Sequence, residues 1–278
     1  MLPVSIQREK ANLFRQLHQG PDILVLPNAW DVTSARLFEQ AGFPAVATTS
    51  SGVAAVYGYA DGQQISRALM IEAIFRMANA VACPLSADIE AGFGGAIAEV
   101  LDTIREVLDA GAVGINIEDS TKQGEKALLD IAYQVELIKA IRELGNSVDI
   151  PLVINARTDV YLLPAIDPAN RLSEAVRRAN AYREAGADCL FFIGVSDADT
   201  IHNLVRETSG PVNILATPQS PSIPELAQLG VARVSFGSGP LRATLGYLRQ
   251  IAQELRRQGT YTGMSNGISG AELRQLIE

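Results

Sequence analysis

The chain has 278 residues, and its formal net charge of −8, with no run of lysine or arginine, argues against a nucleic-acid surface. Hydrophobic residues make up 47% of the sequence, which supports a large core, but no segment approaches the roughly 18 uninterrupted apolar residues of a membrane span. The two cysteines are too few for a disulfide framework, and the charged start MLPVSIQREKANLF has no apolar secretory segment. We therefore expect a cytoplasmic protein that binds neither nucleic acid nor membrane.

A repeated phrase runs along the chain: the end of a polar helix, a glycine, and an apolar run of strand length. It occurs in EQAGFPAVATT, LDAGAVGINIED, REAGADCLFFIG and AQLGVARVSFG. The glycine suits the left-handed position that ends a helix, and continuous apolar runs are typical of strands covered on both faces. The predicted strands are 23–29, 45–50, 84–90, 114–119, 151–157, 189–194, 212–217 and 233–237. The predicted helices are 32–41, 65–81, 96–110, 128–144, 168–185, 197–208, 222–229 and 240–257.

Strands that alternate with helices in this way predict a parallel sheet. Eight such units in this length favour a closed (β/α)8 TIM barrel of the α/β class. An open doubly wound sheet is the alternative, but no GxGxxG follows the first strand, which ends in PNAWD. We predict one domain over 1–278. Its tail, 258–278, holds several glycines and a short amphipathic helix, and is either a frayed end or an arm packed on a neighbouring subunit.

In such barrels the chemistry lies at the carboxyl ends of the strands. Candidate side chains follow each of the first five predicted strands at this point. They are Asn28, Trp30 and Asp31 after the first; Ser50, Ser51, Tyr57, Tyr59 and Asp61 after the second; Asp88 and Glu90 after the third; Asn116, Glu118 and Asp119 after the fourth; and Asn155, Arg157 and Asp159 after the fifth.

Three neighbouring strands can point pairs of polar side chains into one barrel mouth, because side chains alternate along a strand. The pairs are Asp88 with Glu90, Asn116 with Glu118, and Asn155 with Arg157. Crowded carboxylates repel each other and are costly to desolvate, so a bound cation would stabilise them. The candidate ligands are all oxygens, which suit Mg²⁺ or Mn²⁺. We predict a metal site at Asp88, Glu90 and Glu118, whereas Asp119 is left between a capping role and a functional one.

Arg157 is a lone cation among these acids, so it either forms a salt bridge with one of them or clamps a substrate carboxylate or phosphonate. Neither histidine lies at the carboxyl end of a strand, and both cysteines lie at strand starts. This placement argues against histidine–serine catalysis, a thiolate nucleophile and a histidine-ligated zinc. No lysine falls on a strand, which argues against Schiff-base chemistry.

The loop STKQGEKALLD, residues 120–130, is either a lid or an ordinary solvated connection, and its Lys122 and Glu125 are candidate acid–base groups. A metal beside an anion clamp suits the chelation of a 2-oxo or 2-hydroxy carboxylate. It also suits stabilisation of the enolate that forms when a C–C or C–P bond to C3 breaks.

Four segments together resemble the isocitrate lyase / phosphoenolpyruvate mutase superfamily. SADIEAGFGG is similar to its Asp-x-Asp-x-Gly-[Tyr/Phe]-Gly metal motif, with Glu90 in place of the second aspartate. The other three segments are GINIEDS, INARTDVY and TTSSGVAAVYGYADG, and the similarity covers about residues 20–245.

The resemblance implies a Mg²⁺-dependent barrel that acts on small 2-oxo or 2-hydroxy acids. By position, Asp88 would bind the metal directly, and three further acids would act directly or through water. It also implies a tetramer with exchanged C-terminal helices, which favours the arm. The predicted metal set is Asp88, Glu90, Glu118 and Asp61; the substrate-binding set is Ser51, Gly52, Val53, Asp61, Asn155 and Arg157; the catalytic set is Arg157, Glu118 and Lys122.

The chain departs from the superfamily in the loop after the fourth strand. The isocitrate and methylisocitrate lyases carry Lys-Lys-Cys-Gly-His there, with the cysteine as acid–base group, whereas this chain reads STKQGEK. We therefore expect a lyase or decarboxylase that needs no thiol. The alternatives are P–C bond chemistry, as in a mutase or phosphonopyruvate hydrolase, and a non-catalytic 2-oxo-acid binder. A homotetramer or homodimer is expected.

Overall fold

The computed structural model describes residues 3–120 and 127–277, and in these ranges nine parallel strands form one sheet. The spatial order of the strands is β1-β9-β8-β7-β6-β5-β4-β3-β2. The strands are β1 (Leu24–Leu26), β2 (Asn28–Ala29), β3 (Val46–Thr48), β4 (Leu85–Asp88), β5 (Gly114–Glu118), β6 (Val153–Thr158), β7 (Cys189–Phe192), β8 (Val212–Leu215) and β9 (Arg233–Ser235).

The sheet closes through Pro27, the single residue between β1 and β2. β1 pairs with β9 and β2 pairs with β3, so the two short strands occupy one position in the ring. Proline has no amide hydrogen to donate to a ladder, and its carbonyl still accepts from the Ala47 amide at 2.9 Å. Counted as one interrupted strand, β1 and β2 make eight, and the predicted (β/α)8 TIM barrel is confirmed.

Helices surround this ring, and each of the eight predicted ones is present. The helices are α1 (Val4–Leu17), α2 (Val32–Gln40), α3 (Ser50–Val56), α4 (Arg67–Ala80), α5 (Ile97–Asp109), α6 (Ile131–Ser147), α7 (Arg171–Glu184), α8 (Ala198–Glu207), α9 (Ile223–Gln228), α10 (Gly239–Gln258) and α11 (Gly270–Ile277). The list of predicted helices did not include α1 or α3. None of the described helices is long and apolar enough to cross a membrane.

Helix α1 covers the amino-terminal end of the barrel. Phe14 is fully buried, and a Cβ placed on Gly114, the first residue of β5, would lie 2.5 Å from its ring. The side-chain amide of Gln7 donates through Nε2 to the carbonyls of Leu108 and Ala112 at 2.7 and 3.0 Å. Because these contacts close one end of the barrel, the carboxyl ends of the strands form the accessible end.

His18 follows α1 and is buried beneath the barrel. Its Nδ1 donates to the Phe14 carbonyl at 2.8 Å, which leaves Nε2 as an acceptor facing a guanidinium nitrogen of Arg233 at 3.5 Å. Burial, together with the charge of Arg233, lowers the pKa of His18 to about 3. The imidazole is therefore neutral in the folded protein at neutral pH.

We expect His18 to make the fold sensitive to acid. Below its ordinary pKa of 6.5 the unfolded histidine binds a proton that the folded one refuses. The free energy of unfolding should therefore fall by about 1.4 kcal/mol per pH unit as the pH drops from 6.5 towards 3. Urea unfolding at pH 6.5 and 4.5 should show this slope in the wild type and a smaller one in His18→Gln. The exposed His202→Gln is the control, and equal slopes in all three proteins would contradict a neutral His18.

The tail after α10 folds back onto its own barrel. It passes through a short 3₁₀ helix, Thr262–Asn266, into α11, which contacts α2. Arg36 donates to the Leu276 carbonyl at 2.7 Å, and the Leu276 side chain is buried. The amphipathic helix predicted in the tail is therefore present. Its exchange between subunits and the one-domain organisation stay predictions.

Candidate active site

A cavity of about 240 Å³ opens at the carboxyl ends of the strands. Its wall combines hydroxyl, amide, carboxylate and guanidinium groups with a few apolar side chains. Of the predicted site residues, the cavity wall contains Ser51, Asp61, Asp88 and Arg157. The polar groups that the sequence places at strand ends therefore meet in one space.

Asp88 ends β4 and is held by donors on both of its oxygens. Oδ2 accepts from the Ser50 amide at 2.9 Å and the Ser50 hydroxyl at 2.7 Å. Oδ1 accepts from Asn116 Nδ2 at 2.9 Å. β3 stops at Thr48 and Thr49 caps α3, which places the amide of Ser50, the first residue of that helix, against the carboxylate. These contacts fix the orientation of Asp88 within the cavity wall.

Asn155 supports this arrangement from behind. Its Nδ2 donates to Asn116 Oδ1 at 2.9 Å, and Asn116 in turn donates to Asp88. Asn155 is completely buried and does not border the cavity. Where the sequence predicted direct contact with substrate, the structure shows a residue that acts on the site through Asn116.

Arg157 lies between two buried carboxylates. One guanidinium nitrogen is 2.6 Å from Glu118 Oε2, and Nε donates to Asp159 Oδ1 at 2.6 Å. The guanidinium carbon lies 6.0 Å from the centre of the Phe191 ring, and the side chain borders the cavity. The salt-bridge alternative is thus realised with two partners, and the same contacts fix the direction in which Arg157 meets a ligand.

Glu90 does not share the face of Asp88. Strand β4 ends at Asp88, and Glu90 has a positive φ of 54°, so the alternation of side chains stops before it. The Glu90 carboxylate is buried. The backbone amide of Gln63 donates to Oε2 at 2.9 Å and to Oε1 at 3.1 Å. In this position Glu90 holds the loop that carries Asp61, and it is not part of the cavity wall.

The predicted donors Ser51, Gly52 and Val53 form the first turn of α3. Ser51 borders the cavity, and its Oγ lies 3.4 Å from Thr49 Oγ1. A Cβ on Gly52 would lie 2.5 Å from the Thr49 side chain and 3.1 Å from that of Trp30, so only glycine fits there. The Val53 amide donates to the Thr49 carbonyl at 2.9 Å, so the helix already uses the backbone donor that the sequence assigned to substrate.

The predicted metal ligands do not form one cluster. Within residues 3–120 and 127–277, no three histidine, cysteine or acidic side chains are arranged to hold a metal ion. Glu90 and Glu118 face protein donors, whereas Asp61 and Asp88 both border the cavity. The cavity wall around those two carboxylates offers oxygen ligands and neither sulfur nor imidazole. This donor set fits a hard cation that keeps part of its water shell.

Asp119 is a structural carboxylate next to the site. It accepts from Thr158, the Asp159 amide, Tyr182 and Arg178 at 2.9, 2.9, 2.7 and 3.2 Å, and it is completely buried. These contacts tie the end of β6 to α7. Of the two roles left open for Asp119, the contacts support the structural one.

The cysteines do not supply a nucleophile. Burial raises the pKa of both Cys83 and Cys189 to about 12, with the charge of Glu39 adding to the effect at Cys83. Both thiols are therefore protonated at neutral pH, in agreement with the sequence argument against a thiolate. Lys122 and Glu125, predicted as acid–base groups, lie outside the described residues.

Sequence reasoning missed Arg233, which borders the cavity from the first residue of β9. A search confined to the carboxyl ends of strands passes over this position. The available signal is the alternation in RVSFG, which places Arg233 and Ser235 on one face. Both residues border the cavity.

Comparison with known proteins agrees with this architecture. The family model of phosphoenolpyruvate phosphomutase matches residues 14–256. The 2-methylisocitrate lyase of Bacillus subtilis (strain 168) is 35% identical over 193 residues, 67% of this chain and 60% of that protein. The oxaloacetate decarboxylase of Bradyrhizobium diazoefficiens is 28% identical over 97% of this chain and 93% of its own.

A crystal structure from Burkholderia cenocepacia J2315 superposes with a TM-score of 0.91 at 38% identity, covering 98% of this chain and 97% of that one. The family model extends over most of the chain, and the relatives include carbon–carbon lyases and decarboxylases. The chain therefore belongs to the isocitrate lyase / phosphoenolpyruvate mutase superfamily.

Proposed function

We propose that the protein is a Mg²⁺-dependent lyase or decarboxylase that cleaves a C–C bond in a small 2-oxo or 2-hydroxy mono- or dicarboxylic acid. The observation that carries the proposal is the shared cavity of Asp88 and Arg157, at the accessible end of the barrel. An oxygen-donor carboxylate and a fixed guanidinium in one small space suit the binding of a cation and a substrate carboxylate together.

The chain's own residues divide the work between binding and orientation. Arg157 binds the substrate carboxylate, with Glu118 and Asp159 holding the guanidinium in place. Asp88 and Asp61 would hold the metal, Asp88 with its direction set by Ser50 and Asn116. A bound Mg²⁺ would supply positive charge that stabilises the negative charge developing on the substrate as the C–C bond breaks. Mn²⁺ has the same oxygen preference. Glu118 contributes to catalysis through Arg157.

Release of pyruvate tests the proposal directly. Oxaloacetate, methylisocitrate and related acids are incubated with the protein, with EDTA, and with EDTA followed by excess Mg²⁺. Enzyme-free blanks correct for spontaneous decarboxylation. We expect turnover of at least one acid that EDTA abolishes and Mg²⁺ restores. If none of the acids shows metal-dependent turnover, the proposal is wrong. Tight 2-oxo-acid binding by calorimetry in that case would support the non-catalytic binder.

P–C bond chemistry is the second candidate, and the description of the matching family model favours it. A phosphonate carries more negative charge than a carboxylate, and two arginines, Arg157 and Arg233, border the cavity. Phosphorus NMR of phosphonopyruvate incubated with the protein distinguishes the two reactions. A new phosphate or phosphoenolpyruvate signal would favour P–C chemistry over C–C cleavage. The cytoplasmic location and the homotetramer or homodimer remain part of the proposal.

A further inference from the structure

Arg233 is a buried cation that the proposed reaction does not use. The residue is 2% exposed, and its side chain borders the cavity from inside the barrel. None of the salt bridges among the described residues includes it, and its Nε has no hydrogen-bond partner there. Among the described residues, the side-chain hydrogen-bond partner of its guanidinium is the neutral His18 Nε2, at the long distance of 3.5 Å.

This environment is unfavourable for an arginine in a protein without ligand. Burial lowers the pKa of Arg233 to about 10, although the charge of Asp88 acts in the opposite direction, so the guanidinium still carries its charge at neutral pH. A buried charge without a carboxylate at salt-bridge distance is unfavourable for the folded state. Arg157, in contrast, has two carboxylates within 2.6 Å. Arg157 is therefore paired directly with carboxylates, whereas Arg233 has no carboxylate at salt-bridge distance among the described residues.

A second donor lies beside Arg233. Asn213 pairs in register with it on β8, and Asn213 Nδ2 is buried without an acceptor in the described part of the chain. Ser235 donates to Asn213 Oδ1 at 3.2 Å, and Nδ2 is the amide atom without an acceptor. Asn213 does not border the cavity, so Arg233 is the donor of the two that can meet the acceptor oxygens of an anion there.

We propose that Arg233 binds a second anionic group of the substrate, and thereby selects dianionic over monoanionic acids. The inference rests on the proposed function for the class of substrate, a small 2-oxo or 2-hydroxy acid. Arg157 then binds the carboxylate next to the reacting carbon, and Arg233 binds the other end of the molecule.

A matched pair of ligands isolates this second group. Malate and 2-hydroxybutyrate have the same four-carbon chain and differ in the carboxylate at C4. Titration calorimetry with each enantiomer, in the presence of Mg²⁺, is carried out on the wild type, Arg233→Met, Arg233→Lys and Arg15→Met. Arg15 is the control, because it pairs with Asp188 and does not border the cavity.

We expect the wild type and Arg15→Met to bind malate about ten- to a hundredfold more tightly than 2-hydroxybutyrate. Arg233→Met should lose this preference by weakening malate alone, and Arg233→Lys should keep part of it. A preference that survives in Arg233→Met would overturn the inference, even if the metal-dependent turnover is found. A preference that disappears in Arg233→Met would support it, even if no acid is turned over. A wild type that binds neither acid would overturn both.

Thermal unfolding without ligand separates recognition from a structural role. Arg233→Met replaces a buried cation that has no salt bridge by an apolar side chain of similar length. This change should leave the unfolding midpoint unchanged or raise it. A midpoint lowered in Arg233→Met, together with unchanged relative affinities for the two acids, would show that Arg233 supports the barrel interior instead.

Discussion

Asp88→Asn is expected to lower metal-dependent turnover by about a hundredfold or more while the fold stays intact. The substitution removes the negative charge that a cation in the cavity would meet. It keeps one carbonyl oxygen to accept from the Ser50 hydroxyl or Asn116, both of which donate to Asp88 in the native protein. Asp88→Ala is a poorer choice, because it would leave three donors around the site without an acceptor.

Two measurements check this expectation. Calorimetric titration with Mn²⁺ reports the loss of cation affinity, and pyruvate release at saturating Mg²⁺ reports the loss of turnover. Asp102→Asn is the control, because Asp102 lies on the outer face of α5 in an exposed pair with Arg105. If Asp88→Asn keeps full Mg²⁺-stimulated activity, the assignment of Asp88 as the principal metal ligand is wrong.

Arg157→Met should weaken both substrate binding and the fold. The guanidinium faces the buried carboxylates of Glu118 and Asp159, so its removal is expected to lower the free energy of unfolding by about 3 kcal/mol. The same change removes the substrate clamp and should raise KM more than tenfold, with a smaller effect on kcat, by about 1.4 kcal/mol or more of lost binding energy.

A double-mutant cycle separates the two effects. Glu118→Gln removes one of the charges that Arg157 faces, so combining it with Arg157→Met should cost less stability than the sum of the single variants. Arg157→Lys should restore part of the stability through its charge, but little of the affinity, because an ammonium lacks the planar fork of donors. Additive losses in urea unfolding would mean that the ion pair contributes no stability.

The barrel could be predicted from the sequence because one local phrase repeats. A glycine after four of the helices and a continuous apolar run after the glycine are local signals, and right-handed parallel connections leave few topologies. Helix α1 was missed since its buried positions, Gln7, Ala11 and Phe14, include a polar residue whose amide is satisfied only by distant carbonyls. Helix α3 was missed since Thr49 and Ser50 read equally well as the end of a strand and as a cap.

The site was predictable where strand periodicity holds. It holds through Asp88, Asn116 and Arg157, which border the cavity as expected. It fails at Glu90 because no local signal shows that the chain takes a positive φ two residues beyond Asp88. Arg233 lay outside the rule because it begins its strand. The partners of Arg157 could be named from the sequence as alternatives, but only the packed barrel shows that both carboxylates contact it.

Three residues with positive φ, Gln63, Glu90 and Phe93, form a small latch beside the cavity. The backbone amide of Gln63 donates to the Glu90 carboxylate, and the backbone amide of Phe93 donates to Gln63 Oε1 at 2.6 Å. Gln63 thus links the other two, through its backbone amide to Glu90 and through its side-chain oxygen to Phe93. Changing Glu90 to the aspartate typical of the superfamily motif would shorten the reach to Gln63 by one methylene. The latch therefore constrains evolution: positions 63, 90 and 93 should covary among relatives, and single exchanges should be tolerated less well than a transplant of all three.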